Sequence, residues 1–269
     1  MPALIRIETA DDPRVEPYRA VRERDLVGRQ GLFVAEGEVV LRMLLAQRRH
    51  KPASLLLAEK RVGKLAPLLE GLPDHVPVYV AAQTVMDEVV GFPIHRGILA
   101  LARRAEPLDA SQLLAGLAPP ALALGLVGIS NHDNMGGLFR NAAAFGAGAV
   151  VLDAASCDPL YRKAIRVSVG AAVTTPFARL AQGQDMVDLF RAHDFEPLAF
   201  TPRGETTLAE LPRIGRAAVI VGAEGPGLPD EVLDRCRRVS IPMASGVDSL
   251  NVAVAAALAL HHLKFVAGR

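Results

Sequence analysis

The sequence predicts an α/β protein with a C-terminal parallel sheet covered on both faces and a smaller α/β domain before it. Three observations carry that expectation. Apolar runs of strand length alternate with helix-length segments along the whole chain. In the second half those runs are apolar throughout, as in "ALALGLVGIS" (121–130), the pattern of strands buried on both faces. Finally, 51% of the 269 residues are hydrophobic, enough to fill two modest cores.

Taken in order, "DDPRVEPYRAVRERDLVGRQG" (11–31) opens with Asp12 as a helix N-cap and Pro13 at the first helical position. Arg14, Arg19, Arg22 and Arg24 are expected along that helix, with Arg29 just after it. Such arginines can grip RNA phosphates through their forked donors. The plain alternative is a solvated face paired with Glu16, Glu23 and Asp25. "GLFVAEG" (31–37) then reads as a strand and "VVLRMLLAQ" (39–47) as a helix. Strands follow at "ASLLLAE" (53–59), "VPVYVAA" (76–82) and "GILALARR" (97–104). Beyond Arg104 the composition changes to "EPLDASQLLAGLAPP", with Pro107 and Pro119-Pro120. The expected division is a domain over 1–105, a linker over 106–120 and a second domain over 121–269. After 121–130 come buried strands "GAVVLD", "EPLAF" and "AAVIVG", then a short one in "RVSIPM" (238–243). The apolar run 249–260 reads as a buried helix, with Ser249 able to cap it; at 12 residues it is short of the roughly 20 that cross a bilayer.

Composition narrows the function. Net charge is only +1, with 16 Lys/Arg against 13 Asp/Glu in residues 1–105 and 14 against 16 in the remainder. Aromatic residues make up 4% and Trp is absent, which argues against a single-strand binder built on stacking platforms. Cys157 and Cys236 have no metal-ligand spacing and are too few for a disulfide framework, so a reduced, cytoplasmic protein without a bound metal is expected. The opening "MPALIRIETADDPR" has early acids and no apolar h-region, unlike a signal peptide.

Three clusters in the second half carry chemistry. "SNHDNMGGLFRNAAAFGAG" (130–148) follows a buried strand and offers Asn134 and Arg140 around a glycine pair; ligands bind at that end of strands in open α/β sheets. "VIVGAEGPGLPDEVLDRC" (219–236) ends a strand in a glycine-dense turn holding Glu224; it lacks both the Gly-Lys-Ser/Thr of a phosphate loop and the dinucleotide fingerprint. "RVSIPMASGVDSLNVAVA" (238–255) places Ser249 and Asn251 at the mouth of the apolar helix. Each alone reads as a turn or a helix cap. Together they point to one pocket in which backbone atoms do most of the recognition.

At these residues the chain resembles the SpoU (TrmH-type) RNA ribose 2′-O-methyltransferases of the SPOUT class. The motifs "N-x-G-x-x-x-R-x-A-x-A-F-G" (134–146), "G-A-E-G-x-G-L" (222–228) and "I-P-M…S-L-N-V-x-V-A" (241–255) occur in family order and spacing. "GLFVAEGEVVL" and "HRGILA" are similar to the ribosomal-protein-like substrate-binding domain of many members. The resemblance implies a C-terminal segment threaded through a loop as a deep trefoil knot. It implies S-adenosylmethionine held bent by main-chain groups of Gly222, Ile241 and Leu250, with Met243, Ser249 and Asn251 adjacent. It implies a homodimer whose partner subunit completes the active site, and an RNA substrate, ribosomal more than transfer. By motif position Arg140 is the catalytic arginine, Asn134 orients substrate or arginine, and Ser249 and Asn251 buttress that corner. The proton of the attacking hydroxyl would pass to Glu224 or to a neighbouring RNA phosphate. One departure stands out: where members often carry Asp-Pro before the motif asparagine, this chain has Asn131-His132. A non-catalytic RNA-binding or ribosome-assembly factor retaining the fold is the alternative, against which the intact motifs argue.

Overall fold

The computed structural model describes residues 3–19, 27–28 and 30–267. The chain divides into two compact units, Met1–Glu106 with Leu160–Thr174, and Pro107–Pro159 with Thr175–Arg269.

The first unit holds a five-stranded mixed sheet in the order β1 (Leu4–Ile7), β4 (Val78–Ala81), β3 (Lys51–Ala58), β5 (Ile98–Arg103), β2 (Leu32–Glu36). Helices α1 (Glu38–Ala46), α2 (Glu59–Glu70) and α3 (Gln83–Val90) connect the strands. Two short helices from later in the chain, α6 (Arg162–Val167) and α7 (Ala171–Thr174), belong to this unit rather than to the second, where the sequence placed them. The reason is a long-range contact. The Arg162 guanidinium donates to Glu36 Oε2 at 3.0 Å, with the two side chains 19% and 7% exposed, and lies 5.1 Å from the centre of the Phe92 ring. Gly170 packs so closely on α1 that a Cβ there would lie 2.8 Å from Met43 Sδ.

The N-terminal arginines do not ride a helix. Asp12 accepts from Arg14 N at 2.9 Å and caps a single 3-10 segment, Pro13–Tyr18. Pro17 lacks the N–H an α-helix would need, and Arg19 is already extended (φ −62, ψ 163). Arg14 is also paired with Asp12 through its side chain, and Arg19 Nε donates to Ala10 O at 2.8 Å. Arg22, Arg24 and Arg29 lie outside the described residues.

The second unit is built on seven parallel strands in the order β10 (Thr206–Thr207), β12 (Arg237–Ser240), β9 (Glu196–Phe200), β11 (Arg216–Val221), β6 (Ala121–Leu126), β7 (Ala149–Leu152), β8 (Phe177–Arg179). β11 and β6 pair from Arg216↔Ala121 to Val221↔Leu126, and every residue of β6 is buried, which is why its sequence shows no alternation. The expected linker carries a helix, α4 (Ala110–Ala115), capped by Asp109 and anchored by the fully buried Leu114. The remaining helices are α5 (His132–Phe145), α8 (Met186–Ala192), α9 (Asp230–Leu233) and α10 (Val252–Phe265). α10 packs on α5 at close range: Gly137 leaves room only for Ala253, and Asn141 Nδ2 donates to Ala253 O at 2.6 Å.

The order β12-β9-β11-β6 decides the rest. Four neighbouring parallel strands send their C-terminal loops, 241–251, 201–205, 222–228 and 127–131, off one edge of the sheet.

Candidate functional site

At that edge lies a cavity of about 770 Å³, within the size range of small-molecule sites. Gly222, Ile241, Met243, Ser249, Leu250 and Asn251 all border it, as does Glu224; Asn134 and Arg140 do not. Its wall is backbone because of Gly222. A Cβ at that position would sit 2.3 Å from Gly227 C and 2.5 Å from Leu228 N, so the two arms of the 222–228 loop touch main chain to main chain. The turn closes through Gly227 N donating to Ala223 O at 3.0 Å. Side chains at such positions would fill the space where a ligand must reach peptide groups.

One polar corner joins three of the predicted residues. Asn251 Oδ1 accepts from Ala253 N (2.9 Å) and Val254 N (3.3 Å), which caps α10. That fixes the amide, since its oxygen must face the helix N–H groups. The Nδ2 is left to donate to Asn134 Oδ1 at 2.8 Å and to Glu224 Oε1 at 3.1 Å. Asn134 is only 6% exposed, so this bond satisfies a buried acceptor. The cap is therefore Asn251 and not Ser249 as expected; the helix starts at Val252, one residue after Asn251. Glu224, which a plain turn leaves unexplained, has its role as the acceptor for that amide.

Arg140 stands apart. Six residues beyond Asn134 on the same helix, it is rotated about 120° away and displaced about 9 Å along the axis. Its side chain is exposed and outside the cavity lining. The cavity instead carries a cation that sequence reasoning missed, Arg203, in the 200–203 segment after β9. The only signal for it was a "TPRG" turn at a strand end. With Glu224 and Asp248, Arg203 gives the lining one positive and two negative side chains.

The expectation that the last helix is buried all round is corrected. Val252, Ala256, Ala259 and Leu260 face inward, but Val254 (48%), Leu258 (43%) and Phe265 (45%) are exposed. His261 lies in this outer stripe, its ring 5.7 Å from Phe145 and 5.5 Å from Phe265. Burial, reinforced by the charge of His261, pushes the neighbouring His262 below the usual histidine range. Among the described residues no helix is long and apolar enough to cross a membrane, and no cluster of metal-ligating side chains occurs.

Residues 121–261 match the model of the SpoU rRNA methylase family. The chain is 40% identical over 262 residues to an uncharacterized tRNA/rRNA methyltransferase of Mycobacterium bovis, covering 93% of this chain and 88% of that protein. It is 34% identical over 177 residues to the 23S rRNA (guanosine-2'-O-)-methyltransferase RlmB of Coxiella burnetii, covering 63% and 70%. Among solved structures it is similar to an RNA 2'-O ribose methyltransferase, with a TM-score of 0.78 at 26% identity over 96% of this chain and 98% of that one. An AdoMet-bound rRNA methyltransferase from Sinorhizobium meliloti, at 21% identity and a TM-score of 0.81 over 97% of each chain, shares the fold.

Proposed function

The chain belongs to the SpoU rRNA methylase family, and from that premise we propose that it transfers a methyl group from S-adenosylmethionine to a ribose 2′-hydroxyl of a structured RNA, ribosomal rather than transfer. The observation that carries the reading is the Asn134–Asn251–Glu224 corner on the rim of a cavity walled by main chain.

The cavity fits the donor chemically. S-adenosylmethionine has one carboxylate and two positive centres, an ammonium and a sulfonium; the lining offers Arg203 against Glu224 and Asp248. The close approach at Gly222 keeps peptide groups within reach of an adenine edge and a ribose. Gly222, Ile241 and Leu250 would hold it through main-chain groups, with Met243, Ser249 and Asn251 beside them. When bound, it supplies an electrophilic methyl group on sulfur. The protein's own task is alignment and water exclusion, which together can lower the barrier by several kcal/mol. A guanidinium stays protonated, so Arg140 serves as a clamp for phosphate and for charge developing on the ribose oxygen. Glu224 is the protein group at hand to accept the hydroxyl proton, oriented by Asn251.

Two features of the fold support finer parts of this reading. β12 lies between β9 and β10, which are consecutive in the chain, and a Cβ on Gly204 would sit 2.4 Å from Ser240 N. The 201–205 connection thus crosses directly over the last strand, as threading of a trefoil knot requires. The exposed apolar stripe of α10 and the position of Arg140 away from the cavity of its own chain support a homodimer. A second copy would cover Val254 and Leu258 and supply its Arg140 to this cavity.

The test is transfer of labelled methyl groups to unmodified 23S ribosomal RNA and to unmodified transfer RNA. Arg140→Ala is expected to lower transfer by about 100-fold or more, the scale of losing one transition-state donor, while S-adenosylmethionine binding by calorimetry is retained. Undiminished transfer by the variant removes Arg140 from the mechanism, and no binding of S-adenosylmethionine by the wild-type chain removes the enzyme reading.

A further inference from the structure

The fold of the first unit assembles a concentration of positive charge that the sequence pattern around residues 14–29 did not announce. β3 and β5 run antiparallel with Lys51 directly opposite Arg103. Arg48 and Arg49 lead into β3, and Arg104 leaves β5. Five cations thus collect at one end of one sheet. Arg48, Lys51 and Arg103 are exposed, while Arg49 and Arg104 are half-buried.

Like charges directly opposite each other across a strand pair are destabilising, and this unit neutralises its cations elsewhere. Arg6 meets Glu59 at 3.0 Å, Arg42 and Lys64 both meet Glu38 at 2.9 Å, and Arg162 meets Glu36 at 3.0 Å. Among the described residues, Arg48, Lys51 and Arg103 make no ion pair. Arg49 donates to the main-chain oxygen of Glu106 at 3.2 Å. Burial, and then the nearby charge of Arg104, pushes Arg49 below the ordinary arginine value. Repulsion retained in the folded state is relieved when a polyanion arrives, and arginine forks match phosphate oxygens two at a time. Among the described residues the ring at this end is Phe33, packed inside against His50 and fully buried, so no exposed platform for stacking bases accompanies the charge. Phosphate-directed groups of this kind fix position on an RNA backbone without reading its sequence.

We propose that Arg48, Arg49, Lys51, Arg103 and Arg104 form a phosphate-binding surface that positions the backbone of the RNA substrate. The proposal rests on the RNA methyltransferase reading given above. Its test uses the full chain, in vitro transcribed unmodified 23S ribosomal RNA, and the variant Lys51→Glu, which places a carboxylate opposite Arg103. The melting temperature is expected to hold or rise, because a repulsive cross-strand pair becomes attractive. RNA affinity at about 0.15 M salt is expected to fall about three- to tenfold. The slope of log affinity against log salt should become shallower by about 0.7–0.9, the change expected when one phosphate fewer is neutralised. S-adenosylmethionine binding stays unchanged. Arg48→Gln, which adds no new pair, should reproduce the loss of affinity and slope. RNA affinity and salt slope unaltered in both variants overturn the proposal, as does an affinity loss that merely follows a fall in melting temperature. A wild-type chain that binds S-adenosylmethionine but no RNA overturns this surface and the RNA reading together; equal RNA binding by wild type and variants overturns the surface alone.

Discussion

Replacing Asn251 tests the corner on which the site is built. Asn251→Ala removes the cap of α10, which costs about 0.5–2 kcal/mol. It also strips Asn134 Oδ1, in a side chain only 6% exposed, of its donor, and a buried acceptor left unsatisfied costs about 1–3 kcal/mol. The two losses are separate hydrogen bonds of one residue, so the expected destabilisation is about 2–4 kcal/mol. For a unit of about 150 residues that corresponds to a fall in melting temperature of about 5–15 °C. Asn251→Asp separates the two effects. Its carboxylate caps the helix well and suits the positive end of the helix dipole. It has no donor for Asn134, and it sets negative charge against Glu224. The expected order in melting temperature is wild type, then Asn251→Asp, then Asn251→Ala, whereas methyl transfer is lost in both variants. Circular dichroism melts and transfer of labelled methyl groups decide the matter. A melting temperature for Asn251→Ala within about 2 °C of wild type, less than 1 kcal/mol, would show that the corner contributes little. Wild-type transfer by Asn251→Asp would show that the Nδ2 bonds do not organise the site.

Gly222→Ala forces a Cβ to within 2.5 Å of three backbone atoms that cannot rotate away. The expected cost is about 1–3 kcal/mol, with loss of measurable S-adenosylmethionine binding in calorimetry. Gly225→Ala, with nothing within 4 Å of its Cβ and only the strain of φ +88, should bind more tightly than Gly222→Ala; the reverse order would refute the main-chain wall. Asp12 tests the N-terminal turn. Its hydrogen bonds from Arg14 hold its carboxyl at about 2, below the usual 3.8. A depressed folded-state value means that the stability Asp12 contributes is present above about pH 4 and is lost as the pH falls through about 2. Wild type should therefore melt above Asp12→Asn at pH 6, and the two should converge near pH 2; a gap that persists at pH 2 counts against the assignment.

What the sequence made readable follows from how local each signal is. β6 and β11 announce themselves because a strand buried on both faces is apolar at every position. β10 has two residues and β8 three, too few for any periodicity, and β1 ("LIRI") is a four-residue alternation at the chain start. None of the three carries a pattern long enough to read. The attachment of 160–174 to the first unit hangs on Glu36 and Arg162, 126 positions apart, which no local pattern carries. Ser249 and Asn251 are both good caps two residues apart. The choice falls on Asn251 because its amide can cap the helix and still bridge Asn134 and Glu224, whereas a serine hydroxyl has a single proton to donate.

The convergence of the motif loops was not in the loops themselves but in the strand order. Loops after β12, β9, β11 and β6 meet because those strands are neighbours, and that order brought in Arg203, from the one loop of the four that carried no motif. The same reasoning shows what one chain leaves unfinished. A helix apolar on all sides reads as buried, yet α10 turns Val254, Leu258 and Phe265 outward. On the adjacent helix α5, Asn134 is committed to the cavity corner, so the six-residue spacing carries Arg140 off that face. If Arg140 is to act at a cavity, a second chain seated on the apolar stripe is the economical way to bring one there. Leaving that stripe to water while retaining activity in a monomer would require α5 to turn by about a third of a revolution, which its bond from Asn141 to Ala253 O and the close packing at Gly137 both oppose.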